Sequence, residues 1–329
     1  MTRVAKWVFM GSDGIALPAL RFLRARPELE LAAVFTQPDR PAGRGKQARP
    51  NAIKQWAEAE GVPVRQPERL DEAALEDLRA AGPRLVLVMA YGHILRRAWL
   101  DCPPLGTFNL HASLLPAYRG ASPIQASVAS GDGRGGVTLM RMVRKMDAGP
   151  VVDAEAVAIG RRDTGADVEE KLAAACLPLL ERNLPALLSR QVQTTPQDES
   201  RVSYTRKLVK GDGALDFSRP AEEVARRVNG LFPWPSCSFE YNGLPIRAGL
   251  ADWSGGETGK SPGTVVDADD SLAVASGQGV VHFLKLQRPG GKMLAAADFL
   301  RGCSIPTGTV LASRTMPPLV SEKPFPAGS

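Results

Sequence analysis

Through the first two thirds of the chain, short apolar runs with little polar alternation take turns with stretches of helical period. "KWVFMG", "LAAVFTQ", "VPVRQ" and "RLVLVMAYG" read as strands. Between them, "ALPALRFLRAR", "NAIKQWAEAEG" and "LDEAALEDLRAAG" read as helices with one apolar face. Strands of this kind, separated by helices, predict a mostly parallel sheet covered on both faces. Right-handed crossovers make it a doubly wound α/β domain. Ligands of such sheets sit beyond the carboxyl ends of the strands. The ends to watch are therefore residues 11–14, 91–93 and 109–111.

The pattern then changes. A long helical stretch is expected over 163–189, closing a first domain of residues 1–189. Residues 190–209 are polar and rich in turn formers, as a linker would be. A helix near "PAEEVARRVNGL" precedes five short apolar runs, "SCSFEYNG", "LPIRAGLADW", "GTVVDADD", "SLAVASGQG" and "VVHFLKLQ". Gly, Asn-Gly and Asp-Asp between them predict a small OB-like β-barrel over 210–315. The Pro-rich end, 316–329, reads as a disordered tail.

Composition narrows the class. The chain has 329 residues, 44% apolar and 23% charged, as in an ordinary globular protein. No apolar run approaches the roughly 18 residues that span a bilayer. The short N-terminal apolar burst lacks the features of a secretory signal. A cytoplasmic protein with no membrane association is the expectation. The four cysteines and three histidines are scattered singly, so no metal ligand set assembles at a recognised spacing. Formal net charge is +6; residues 1–209 hold 29 Lys/Arg against 23 Asp/Glu, and the remainder 12 against 12. The whole excess lies in the N-terminal part, where an anionic partner would be met.

The chemistry gathers in "FNLHASLLPAYRGASPIQ". A strand would place Asn109 and His111 on one face, and the Ser, Pro and Gly that follow would end it. An amide donor and a group that exchanges protons near neutral pH would then project together from a strand end. Downstream, "KMDAGPVV" offers Asp147 in a loop before an apolar strand. With no Ser or Cys in a nucleophile elbow nearby, the three suit direct attack by a substrate nucleophile. Two other readings stand on the residues alone. His111 fits a structural histidine bonded to backbone, and Asp147 fits a turn residue bonding its own main chain.

The composite of Asn-x-His-x-Ser-Leu-Leu-Pro, then Arg-Gly-x-x-Pro-Ile, then a distant Asp-x-Gly resembles the core of the folate-dependent formyltransferases. "FMGSDGIALPAL", "VFTQPDRPAGRGK", "VMAYGHIL", "SYTRKLVKGDGALDFS" and "RRVNGLFPWPS" extend the likeness along nearly the whole chain. Within that family it is most similar to members that formylate initiator methionyl-tRNA; those acting on glycinamide ribonucleotide are about one domain shorter. The resemblance implies 10-formyltetrahydrofolate as formyl donor, no metal, and attack by the methionyl amine through a tetrahedral intermediate. It implies that Asn109 donates to the oxyanion, that His111 handles the amine proton, and that Asp147 orients His111. Ser113, Leu114, Leu115 and Pro116, with Met89, Ala90, Tyr91 and Gly92, would shape the folate pocket.

The resemblance also gives a task to "DRPAGRGKQARP". Arg40, Arg44, Lys46 and Arg49 would reach the tRNA acceptor end, with Lys207 and Lys210 assisting from the linker. As a charge run alone, the same loop reads as solvated surface. The chain is expected to act as a monomer. Two rivals are a formyltransferase for a small amine, such as an amino sugar nucleotide, and a catalytically silent RNA-binding relative. Two departures stand out. Ala112 occupies a position where many relatives carry Gly, and the C-terminal domain is formally neutral where an RNA-tracking barrel should be basic.

Overall fold

Every inward position of β1 (Ala5–Met10) is buried, with only Lys6 exposed, so the strand needs cover on both faces. A computed structural model describes residues 4–42 and 47–326 and shows how that cover arises. Helix α1 (Leu17–Arg24) and β2 (Leu29–Phe35) follow, then a small antiparallel hairpin of β3 (Arg40–Ala42) and β4 (Gln47–Arg49). Next come α2 (Ala52–Ala59), β5 (Val64–Arg65), α3 (Glu72–Ala81), β6 (Leu85–Val88), the single turn α4 (Arg97–Leu100) and β7 (Thr107–His111). Asn51 and Asp71 cap α2 and α3 through the N–H groups of Lys54 and Ala74. Gly82 ends α3 in the left-handed conformation.

After β8 (Arg119–Gly120) and α5 (Pro123–Ser130), β9 (Arg134–Arg141) and β10 (Val151–Ala158) complete a seven-stranded sheet in the order β10-β9-β7-β6-β1-β2-β5. Pairing is parallel from β7 through β6, β1 and β2 to β5, and antiparallel between β7 and β9. The mostly parallel α/β sheet is thus as the apolar runs predict. Ala74, Leu75 and Leu78 of α3 cover Val8, Phe35, Val86 and Val88, with Trp99 set edge-on to Phe35 at 5.9 Å. Gly11 ends β1 where a Cβ would overlap the Met89 carbonyl oxygen. The basic stretch expected to be a plain loop has a hairpin stem, with Arg40 opposite Arg49.

The chain folds into two compact units that interleave along the sequence. The first holds Met1–Arg119, Gly136–Val157 and Glu170–Val202; the second holds Gly120–Gly135, Ala158–Glu169 and Ser203–Ser329. Helix α6 (Gly165–Ser189) runs through both stretches of sequence. The second unit adds β11 (Tyr204–Thr205), α7 (Ala221–Gly230), β12 (Cys237–Tyr241), β13 (Leu244–Ser254), β14 (Val265–Ala268), β15 (Leu272–Ala275), β16 (Val280–Gln287), β17 (Leu294–Ala295), α8 (Ala296–Gly302) and β18 (Val320–Ser321). Its sheet runs β12-β13-β16-β15-β14 with β17 beside β16, all antiparallel. Irregular pairing in β13 bends it into the curled half-barrel of an OB-like domain. Asn229 of α7 serves that irregularity, accepting from the Ala251 N–H at 2.8 Å and donating to its carbonyl at 3.0 Å. Helix α5 packs on α7, which explains why residues 120–135 join this unit rather than the sheet around them.

Two segments are more ordered than their composition suggests. Within 190–209, Thr195 exchanges both backbone hydrogen bonds with Val151 at 2.8 Å. Residues 316–326, expected to trail as a disordered end, are built into the second unit: Leu319 is buried and Val320–Ser321 pairs with Tyr204–Thr205. A few apolar side chains and an open strand edge suffice to hold a Pro-rich segment. All four cysteines are free thiols, with Cys176 and Cys237 buried. Among the described residues no helix is long and apolar enough to cross a membrane.

Candidate active site

Strand β7 is buried along its length, yet three of its five residues, Thr107, Asn109 and His111, are polar. Asn109 and His111 lie two apart and so share a face, 7% and 6% exposed. Asn109 stands between Val88 and Met140 in register, and among the described residues nothing hydrogen-bonds its side chain. His111 Nε2 lies 3.0 Å from the Tyr118 carbonyl oxygen, and its Nδ1 lies 3.8 Å from Asp147 Oδ2. A carbonyl only accepts, so Nε2 carries the proton in the neutral ring and Nδ1 presents its lone pair toward Asp147. At 3.8 Å that contact is an electrostatic approach, too long for a hydrogen bond.

Between His111 and Tyr118 the chain is held by its own polar groups. Ser113 Oγ donates to the Ala117 carbonyl at 2.6 Å. Thr138 Oγ1, on the paired strand, donates to the Ser113 carbonyl and accepts from the Leu115 N–H. Leu114, Leu115 and Pro116 are half-buried around this turn. Asp147, 36 residues beyond His111 in the chain, arrives because β9 runs antiparallel to β7 and returns the following loop to the same region. Its backbone is left-handed, with φ of +49°, a region that Asp tolerates better than most residues. At the loop's neck, a Cβ on Gly149 would overlap the Arg141 carbonyl oxygen.

Three residues without a role in the sequence reading hold this loop. Gln197 Nε2 donates to the carbonyls of Asp147 and Gly149, at 2.8 and 2.7 Å. Arg119, wholly buried, donates to Gln197 Oε1 through Nε and a terminal nitrogen at 3.1 and 2.8 Å, and to Glu199 at 2.7 Å. Glu199 also accepts from Lys145 at 2.9 Å. Arg119 first and then Lys145 hold its carboxyl down at about 2. Arg119 lies in the Arg-Gly of the quoted motif, a usable signal; nothing in the sequence ties Gln197 to residue 147.

Of the residues assigned to a folate pocket, Met89 and Tyr91 are buried, while Ala90 and Gly92 are exposed with positive φ. Burial pushes the Tyr91 phenol up, and its ring lies edge-on to His93 at 5.0 Å. A cavity of about 790 Å³ is lined by the residues that follow them, from Ile94 on. Its apolar part comes from Ile94, Leu95, Leu100, Met142 and Val143, and Arg96, Arg97, Arg141 and Arg144 surround it with Asp101. Residues 89–92 and 113–116 are adjacent in the chain or at the site but do not line this cavity.

The cations assigned to tRNA fall in both units of the chain. Arg40 and Arg49 are exposed on the hairpin stem, where Arg40 pairs with Glu68 at 3.2 Å. Arg44 and Lys46 lie outside the described residues. Lys207 and Lys210 are exposed in the second unit. Among the described residues no group of three or more His, Cys, Asp or Glu is placed to hold a metal ion.

Comparison with known proteins adds a second line. The formyl transferase family matches residues 13–182, and the formyl transferase C-terminal domain matches residues 207–304. The chain is 40% identical to the methionyl-tRNA formyltransferase of Halorhodospira halophila over 91% of its length and 96% of that protein. It is 41% identical to that of Pseudomonas syringae pv. syringae over 94% and 99%. Among solved structures it shares the fold of the N-formyltransferase from Helicobacter canadensis in complex with folinic acid and dTDP-3-aminofucose. That match has a TM-score of 0.65 at 14% identity, covering 86% of this chain and 99% of that one.

Proposed function

This chain belongs to the formyl transferase family, and from that premise we propose that it moves a formyl group from 10-formyltetrahydrofolate to the amino group of methionyl-tRNA. The observation that carries the reading is the meeting of Asn109, His111 and Asp147 at the end of β7. Bound, the folate supplies an activated formyl carbon. Asn109 offers an unengaged amide N–H to the oxygen that gains charge during attack; such a donor is worth roughly 3–4 kcal/mol in the transition state. His111 takes the amine proton on Nδ1, because Nε2 is committed to Tyr118. The carboxylate of Asp147 then offsets the imidazolium charge from 3.8 Å. An aminoacyl amine titrates at or below about 8, so a mild base is enough.

The cavity suits the donor's chemistry. Its volume lies in the range of small-molecule sites, its apolar residues match a flat bicyclic ring, and four arginines match a carboxylate tail. Thr107, on its wall, begins the strand that ends at His111, a run of about 13 Å. Residues 89–92 and 113–116 frame the passage from ring to formyl group. Arg40, Arg44, Lys46 and Arg49 contact the acceptor end, with Lys207 and Lys210 on further phosphates, and initiator tRNA is the preferred form. The protein works as a cytoplasmic monomer. Incubation with 10-formyltetrahydrofolate and either methionyl-tRNA or an amino sugar nucleotide tests the reading. Formylated tRNA is the expected product; formylation of the sugar amine alone would replace the proposed acceptor.

A further inference from the structure

The Asp147 loop is held by a strut, rooted in the buried Arg119, that residue identity makes one-directional. Arginine donates only, so Gln197 must turn Oε1 toward Arg119 and Nε2 toward the loop. Both amide hydrogens are then spent on carbonyls either side of Ala148, those of Asp147 and Gly149. Glu199 ties Arg119 on one side and Lys145, a member of the loop, on the other. The loop is thus gripped at residues 145, 147 and 149 by two side chains from the turn-rich segment after α6. The grip acts on the backbone that carries the Asp147 carboxylate, and it fixes that backbone at a φ of +49° that the loop would not favour unaided.

We infer that Gln197, anchored by Arg119, is a positioning residue for the reaction, setting the distance between the Asp147 carboxylate and His111. The inference rests on the active-site reading above. A shift of about 1 Å in a group that steers the reacting atoms costs up to about 100-fold in rate. Backbone hydrogen bonds from an amide are a suitable means, since they act on the loop without adding charge beside His111. No other neutral side chain of this length supplies two N–H donors and an acceptor for arginine.

Gln197→Glu keeps size and the arginine contact but sets an oxygen against two carbonyls. It should lower kcat by about 10- to 100-fold while KM for 10-formyltetrahydrofolate and for methionyl-tRNA stays within about twofold. Placed on Asp147→Asn, it should cost less than about twofold more, because the group it positions is already neutralised. Lys145→Ala, at an exposed site, should give a smaller fall in kcat that likewise disappears on Asp147→Asn; it serves if Gln197→Glu does not fold. Unchanged kcat in Gln197→Glu, or losses that multiply in the double variants, would overturn the positioning role and leave the active site as described. Full activity in Asp147→Asn would overturn the active-site reading itself.

Discussion

The Tyr118 carbonyl oxygen sits 3.0 Å from His111 Nε2 and thereby decides which ring nitrogen is basic. Nδ1 is left to face Asp147, whose carboxylate offsets a new positive charge. His111→Ala should lower formyl transfer by about 10²- to 10⁴-fold with little change in tRNA affinity. His111→Gln retains a donor for Tyr118 but no base, and should be as slow. Steady-state kinetics beside a filter-binding titration measures both, and near-normal turnover in either variant would remove His111 from the chemistry.

Asn109 differs in kind, because its amide is buried at a strand end without a hydrogen-bond partner among the described residues. Asn109→Ala should reduce kcat by about 10²- to 10³-fold and leave KM for the donor nearly unchanged. If KM rises while kcat holds, the residue binds ground-state substrate instead.

Gly149 allows the neck of the Asp147 loop to close on Arg141. Gly149→Ala puts a methyl group against a carbonyl oxygen that cannot yield without moving the strand. A loss of stability of about 1–3 kcal/mol is expected by urea denaturation, with a larger fall in kcat than in thermal midpoint. Wild-type turnover would mean that the loop tolerates displacement.

Charge in the basic stretch around Arg44 and Lys46 should be read out through salt. Arg44→Ala combined with Lys46→Ala should weaken methionyl-tRNA binding and reduce the slope of log K against log salt by about 2, one for each phosphate no longer neutralised. An unchanged slope would place these side chains away from the RNA.

The second unit has its own pH signature. Burial would raise the Asp212 carboxyl, but hydrogen bonds from Arg206, at 2.9 and 2.6 Å, and from the Val209 N–H outweigh it and hold it below the usual range. A carboxyl lowered by folding stabilises the native state above its unfolded value, near 3.9, and that contribution is lost as pH falls through the native value. Asp212→Asn should therefore cost about 3–5 kcal/mol near neutrality by taking the carboxylate from the half-buried Arg206, whose charge is then left to backbone carbonyls. The gap to wild type should narrow below about pH 4, and a gap independent of pH would contradict the pairing.

Local pattern determined a good deal by itself. Mostly apolar runs at β1, β2 and β6, interrupted only by Lys6 and Glu30, require cover on both faces, and Asn51, Asp71 and Gly82 mark helix ends through their own side chains or backbone freedom. The five apolar runs of the C-terminal part became β12 to β16 because each depends only on its own residues and the turns beside it. The motif from Asn109 to Ile124 carried the family. What the tertiary structure alone decided involves groups far apart in the chain. The approach of Asp147 to His111 needs β9 to lie antiparallel beside β7, and the grip of Gln197 needs Arg119 to be buried where residues 197–199 pass. The docking of residues 319–321 on 204–205 depends likewise on an edge left open by the rest of the fold. Such contacts follow from strand order and chain return, which summed burial sets over the whole molecule and which no local run of residues encodes.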